Sequence, residues 1–341
     1  METDLRSYRG YVKYNNANPV NHKEVQRGPV RPACRGKARG PHMAWRGLHV
    51  SSPGRLSNRR SQIVFAPEEG EGVSFPVEDV AWIILDTPQV TLTGSLLSAL
   101  AENGVALIVP DAKHHPAGML LSFHQHPLQS GIAHSQIAAS QPLKKRLWQK
   151  LVVAKIENQA AVLRAIGSDE AQALSAMAGR VGSGDPDNLE AQAARAYWPR
   201  LFDGFKRHHE DRRNGLLNYG YAVVRAALAR ACAASGLLPA FGFHHCSRAN
   251  AFNLVDDLLE PFRPCVDRLA RRRAQEVEQD ELDVEDRRHM AGILNESVSL
   301  GEERMTVLAA TEAVAASLVR AIDGASAPLL QTPALPLAKR V

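Results

Sequence analysis

No uninterrupted apolar run approaches the ~18 residues that a membrane-spanning helix needs, and the N-terminus lacks the charged-then-apolar layout of a secretory leader. The expectation is therefore a cytoplasmic protein without membrane segments. Cysteine is scarce: Cys34, Cys232, Cys246 and Cys265 form no CxxC pair and show no regular spacing. That argues against a disulfide framework or a zinc knuckle and for reduced thiols. A basic surplus is also missing once position is considered. The chain carries a net charge of +5, but residues 1–42 hold nine Lys/Arg against three acids, so the remainder is close to −1. Global charge is therefore no argument for nucleic-acid binding, and local clusters have to supply one. No internal repeat is visible.

With 341 residues and 45% hydrophobic content, the chain can bury the cores of two modest domains. Residues 1–42 are rich in Asn, Arg, Gly and Pro and have no hydrophobic period. They read as a disordered basic extension, with the ordered fold starting at Met43. From Trp45 the pattern is short strands: Gly47–Val50, Gln62–Phe65, Val80–Leu85 and Val105–Val109, β-branched and bounded by Pro, Gly and Asp. One helix interrupts them, Ser95–Asn103, with Gly104 placed as a left-handed cap. A polar, His-rich connection over 122–142 follows, and then a 3.6-residue period sets in through Leu147, Leu151 and Ala154 and again through Leu216–Ala231. Leu294–Leu300 and Met305–Ile322 read as two further helices. The expected class is α+β: a small β-rich, β-sandwich-like domain over 43–140, a larger all-α domain over 141–328, and a loose tail over 329–341.

Two segments carry residue types suited to chemistry. In Gly184–Trp198, Asp185 can cap a helix with Pro186 at its first position, which sets Glu190 in the second turn among Ala191, Ala193 and Ala194. A carboxylate with such small neighbours suits a metal or a distant base, although an exposed glutamate near a helix start is the plainer reading. In Phe241–Pro264, the pair His244–His245 precedes Asp256, Asp257 and Glu260, three acids close enough to repel unless a cation neutralises them. Imidazole with carboxylates suits Mg2+ or Mn2+ rather than structural zinc, while the alternative is a solvated acidic helix start behind core histidines. Arg195, Arg207, Arg212, Arg225 and Arg230 lie along one basic stretch, with Arg248 and Arg263 beside the acids. Such groups could hold a phosphodiester backbone, or be ordinary helix-surface cations.

Together the two segments resemble the Cas-one family of CRISPR-associated integrases, in particular its type II form, over about residues 43–325. Glu190 followed by small residues and Tyr197–Trp198 matches one motif; His245, then Asn250-Ala-Phe-Asn-Leu254 and Asp257-Leu-Leu-Glu-Pro-Phe-Arg263, matches the other. The resemblance implies Glu190, His245 and Glu260 as catalytic metal ligands, supported by Asp257 and His244, with the spacing to Glu260 favouring His245 over His244. It also implies a β-rich dimerisation domain, a helical catalytic domain, a homodimer, and a heterohexamer with the small second adaptation protein. The implied reaction joins 3′-hydroxyl ends of captured DNA into a CRISPR repeat by transesterification. A general nuclease acting on branched DNA and a non-catalytic DNA-binding assembly protein are the alternatives.

Overall fold

A computed structural model describes residues 46–111, 116–122, 126–207, 209, 211–277 and 279–336. The expectations for residues 1–45, including the extension and the start at Met43, fall outside them.

The N-terminal part is built from β1 (Arg46–Val50), β2 (Gly54–Arg59), β3 (Gln62–Pro67), β4 (Val73–Pro76), β5 (Val80–Leu85), β6 (Val90–Leu92), α1 (Gly94–Glu102), β7 (Ala106–Pro110) and β8 (Pro116–Leu120). Two sheets result, in the orders β4-β3-β2-β6 and β1-β5-β7-β8. β5 is central and parallel to both neighbours, which is why its Val-Ala-Trp-Ile-Ile-Leu run is buried throughout. Alternate side chains serve different cores. Ile83, Leu85 and Leu107 pack with Leu56, Ile63 and α1's Leu96 and Leu100. Trp82, Ile84, Ala106 and Ile108 point the other way, into the helical core. The expected strands and α1 are present, α1 being capped by the Thr93 hydroxyl accepting from the Leu96 N–H.

The helical part comprises α2 (Gln129–Ala138), α3 (Gln141–Ala165), α4 (Glu170–Ala178), α5 (Leu189–Leu201), α6 (Arg212–Ala234), α7 (Asn253–Leu259), α8 (Arg263–Glu276), α9 (Val284–Ala291), the strand pair β9 (Ser297–Leu300) and β10 (Glu303–Thr306), and α10 (Val307–Asp323). α3 and α6 are the long elements on which the others lean. α6 approaches α8 and α9 closely at Gly220, where a Cβ would lie 2.5 Å from Val266 Cγ1 and 2.8 Å from Met290 Cε. The buried Arg287 Nε donates to Asp86 Oδ1 at 2.7 Å, tying α9 to the end of β5.

Three expectations need correction. The polar connection contains α2, which Gln136 anchors through Nε2 to the carbonyls of Leu238 and Phe241. Leu294–Leu300 is not a helix: a short 3-10 turn runs into β9, where Val298 and Leu300 alternate inward. Nor is the tail loose through its described part, residues 329–336. Leu330 and Leu335 are buried, Ala334 pairs with Ser299 through two 2.8 Å backbone bonds, and the Leu335 N–H donates to Asn158 Oδ1.

Candidate metal centre

Glu190 is held by the turn before α5. Asp185 does cap, its carboxylate accepting from the N–H groups of Leu189 and Glu190 at 2.9 and 3.0 Å, but the helix begins only at Leu189. Asp185 and Asn188 both take left-handed backbone in the intervening turn, so Pro186 is not in the helix and Glu190 stands in its first turn rather than its second.

Glu260 sits where α7 ends in a 3-10 turn, Glu260–Phe262, before α8. Pro261 and Pro264 lack N–H groups, which favours a break at this junction. Asn158 of α3 donates through Nδ2 to the Pro261 carbonyl at 2.8 Å and to the Pro333 carbonyl at 2.9 Å, clasping the turn from below.

The two carboxylates come together on a residue that the motifs do not mark. Lys155, buried on α3, donates through Nζ to Glu190 Oε1 and, at 2.5 Å, to Glu260 Oε2. Arg263 Nε donates to the other Glu260 oxygen at 2.8 Å while its guanidinium lies 4.7 Å above the Tyr221 ring. Burial alone would raise the Glu260 carboxyl; Lys155 and Arg263 override it and hold it at about 2. Burial likewise opposes the Lys155 ammonium, but Glu260 and Glu190 raise its pKa above the ordinary lysine value.

His245 is positioned from a different direction. Asp257, fully buried, accepts the backbone N–H groups of Phe243, His244 and His245 at 2.5, 3.1 and 3.0 Å, and the His245 Nδ1–H at 2.7 Å. The chain can wrap the carboxylate this closely only because residue 242 is glycine: a Cβ there would lie 2.7 Å from Asp257 Oδ2 and 2.4 Å from the His245 carbonyl. The hydrogen bond that the His245 ring donates to Asp257 raises the His245 pKa, against burial, and the charges of Asp257, Glu260 and Asp256 add to it. With Nδ1 engaged, Nε2 is the nitrogen left for a ligand. His244 is the exposed member of the pair, its ring stacked on Trp148 of α3 with centroids 4.0 Å apart and planes 2° from parallel.

The acids therefore do not share one counterion. Asp256 takes Arg225 and Asn250, Asp257 takes the histidine loop, and Glu260 takes Lys155 and Arg263. Among the described residues no group of three or more His, Cys, Asp or Glu side chains is gathered as a metal would gather them. Glu190 and Glu260 meet through Lys155, while His245 stays on Asp257. The donor set still suits a hard divalent ion: two carboxylates already drawn to one cation, and an imidazole whose far nitrogen is fixed by a carboxylate.

Three arginines of the expected basic patch over 195–230, namely Arg212, Arg225 and Arg230, are committed to acidic partners far away in sequence. Arg212 is buried, bonded to both Asp286 oxygens at 2.7 and 2.8 Å and to the Val277 carbonyl, so it cannot serve as a DNA contact. Arg225 pairs with Asp256 at 2.6 Å and lies over the Phe252 ring; Arg230 pairs with Glu312. Arg207 binds the side-chain oxygens of Asn214 and Asn218. Arg195 and Arg248 are exposed. Lys144, Lys145 and Arg146, at the start of α3, add a basic turn that the sequence reading passed over, and of these Lys145 packs against Gly184 below the Glu190 turn.

The family model for CRISPR associated protein Cas1 matches residues 48–300. A CRISPR-associated endonuclease Cas1 from Neisseria meningitidis serogroup C (strain 8013) is 38% identical over 297 residues, covering 85% of this chain and 96% of the relative. Among solved structures, a casposase bound to integration product superposes with a TM-score of 0.69 at 19% identity, over 83% of this chain and 92% of that one. A CAS1 protein from Thermotoga maritima gives 0.68 at 17% identity, over 82% and 97%. These structures share the fold, strand-rich first and helical after. The family model and the meningococcal relative span both the Glu190 turn and the His245–Glu260 segment, and on that extent of similarity this chain belongs to the Cas1 family of CRISPR-associated proteins.

Proposed function

We propose that the chain is a metal-dependent DNA endonuclease and integrase of CRISPR adaptation, which joins the 3′-hydroxyl of a captured DNA fragment to a phosphodiester at the edge of a CRISPR repeat. The observation that carries this reading is the meeting of Glu190 and Glu260 on one cationic point, beside a histidine held by a buried carboxylate. Glu190, Glu260 and His245 would hold Mg2+ or Mn2+. Such an ion, when bound, polarises a phosphoryl oxygen and stabilises charge on the attacking and leaving oxygens.

The remaining work falls to the protein. Asp257 holds the direction of the His245 ring through Nδ1, which would leave Nε2 to a ligand without a search for its rotamer. Asn158 and Arg263 hold the Glu260 turn. In the transfer the attacking 3′-hydroxyl loses its proton as a new P–O bond forms; the bond to the repeat's 3′-oxygen breaks, and that oxygen takes up a proton. One phosphodiester replaces another, so no high-energy cofactor is required. Exposed Arg195 and Arg248 are the candidates for backbone contacts among the arginines named from the sequence. By its membership of the family the chain would act as a homodimer through its β-rich part and assemble with the small second adaptation protein into a heterohexamer on DNA. Among the described residues no helix is long and apolar enough to cross a membrane.

The test is strand transfer of a short duplex into a supercoiled plasmid carrying the host repeat, with the small partner and Mg2+ or Mn2+. Joined products that need the ion and disappear in Glu190→Ala and His245→Ala are the expected result. Nicking without joining would make the chain a general nuclease, and duplex binding with neither product would make it a binding protein.

A further inference from the structure

Lys155 belongs to none of the segments that mark the family, yet it is the residue on which the site is assembled. Its amine reaches the centre from α3, 35 residues before Glu190 and 105 before Glu260. A lysine tail is long and flexible and is ordinarily left in water, where its charge is best solvated. Here the side chain is 8% exposed, and the Glu260 side chain 7%. Taking both from water is unfavourable unless each satisfies the other. The four charges of the group, those of Glu190, Glu260, Lys155 and Arg263, sum to zero. Without Lys155 only Arg263 would remain against two carboxylates, and they would repel.

The same contacts have a second consequence. Both carboxylates already carry the Lys155 ammonium, and the second oxygen of Glu260 carries Arg263, so a divalent ion would have to share its ligands with a cation. Two cations cannot both contact one pair of oxygens in a buried site without strong repulsion. Resting on the metal-centre reading above, we infer that Lys155 is an internal competitor of the divalent ion: it keeps Glu190 and Glu260 together in the ion's absence and has to withdraw for the ion to bind. The residue therefore stabilises the Glu190–Glu260 pair on its own and weakens ion affinity, so that half-occupancy needs a higher ion concentration than the two carboxylates alone would require.

Mn2+ binding to the full chain, followed by calorimetry and by the electron paramagnetic resonance of free Mn2+, tests this directly. Lys155→Met should bind Mn2+ about tenfold or more tighter than the unmodified protein, melt lower without the ion, and gain more in melting temperature when it is added. Lys155→Gln, which keeps an N–H donor without the charge, makes the same comparison if the Met variant does not fold. Lys155→Arg keeps the cation and should bind Mn2+ much as the unmodified chain does. Equal or weaker binding in folded Lys155→Met or Lys155→Gln would overturn the competitor role while leaving the metal centre standing. Absence of Mn2+ binding in the unmodified chain and in every folded variant would overturn the metal centre itself, and the role of Lys155 with it.

Discussion

Replacing Asp257 by Asn is nearly isosteric but should dismantle the histidine loop. The carboxylate presents two oxygens to four donors: Oδ2 accepts from Phe243 and His244, and Oδ1 from the backbone and ring of His245. An amide can offer one oxygen, so two of the four bonds survive, now to a neutral acceptor, and an NH2 group is turned toward two N–H donors. Hydrogen bonds to a charged acceptor contribute roughly 1.5–3 kcal/mol each, so losing two costs about 3–6 kcal/mol. The cost is confined to residues 242–246, because the α7 backbone that carries Asp257 is bonded within its own helix. At about 1.4 kcal/mol per decade, protection of the Phe243, His244 and His245 amides against hydrogen exchange should fall by about a hundredfold or more. Exchange in α3 and α6 should hardly change. Ion affinity should drop by about 10–100-fold, because His245 loses the partner that fixes its ring. The reasoning is refuted if loop amides in the folded variant stay as protected as in the unmodified chain.

Two further outcomes follow from buried charges outside the centre. Asp267 of α8 is fully buried with the Tyr221 hydroxyl donating to it, and burial pushes its carboxyl up to about 7. Its folded-state pKa thus lies above the unfolded value of about 3.9, so the stability it contributes is complete below that value and is lost as pH rises through 7. Relative to Asp267→Asn, denaturant melts of the unmodified protein should lose about 4 kcal/mol between pH 4 and pH 8; parallel profiles would show that Asp267 is ionised throughout. Arg212→Ala should destabilise by about 1–3 kcal/mol, because it removes one of the two arginines on buried Asp286 while Arg273 stays bonded at 2.7 Å. Below its melting point the variant should bind duplex DNA normally in a filter or anisotropy assay, whereas a selective loss of binding would return Arg212 to the DNA surface.

How far the sequence could be read depended on where each signal lay. β3, β5, β7, α1 and α10 were legible because each holds its apolar run or period within a single element. β2 and β6 were not: Gly-Arg-Leu-Ser-Asn-Arg has one buried hydrophobic side chain, and β6 spans three residues. The turn joining β2 to β3 has two left-handed residues, Arg60 and Ser61, in place of the Asn-Gly that usually announces such a hairpin. Glu190, His245, Asp257 and Glu260 stood out through their neighbours along the chain. Lys155 could not, since it follows Lys144, Lys145 and Lys150 on one periodic helix and its partners are remote in sequence. Local charge counting failed for the arginines for the same reason: Arg212 and Arg230 find their acids 74 and 82 residues away.

The side chain of Asn158 links two parts of the chain that lie more than 70 residues apart, Pro261 and residues 333–335. One hand of its amide, Nδ2, grips the carbonyl that follows Glu260; the same nitrogen also holds Pro333, and the oxygen receives Leu335. Residues 333–335 are thus a wedge driven under the Glu260 turn. A tag, truncation or fusion joined before residue 336 would pull on that wedge, so a change made far from the centre for convenience could act as an unintended mutation of Glu260.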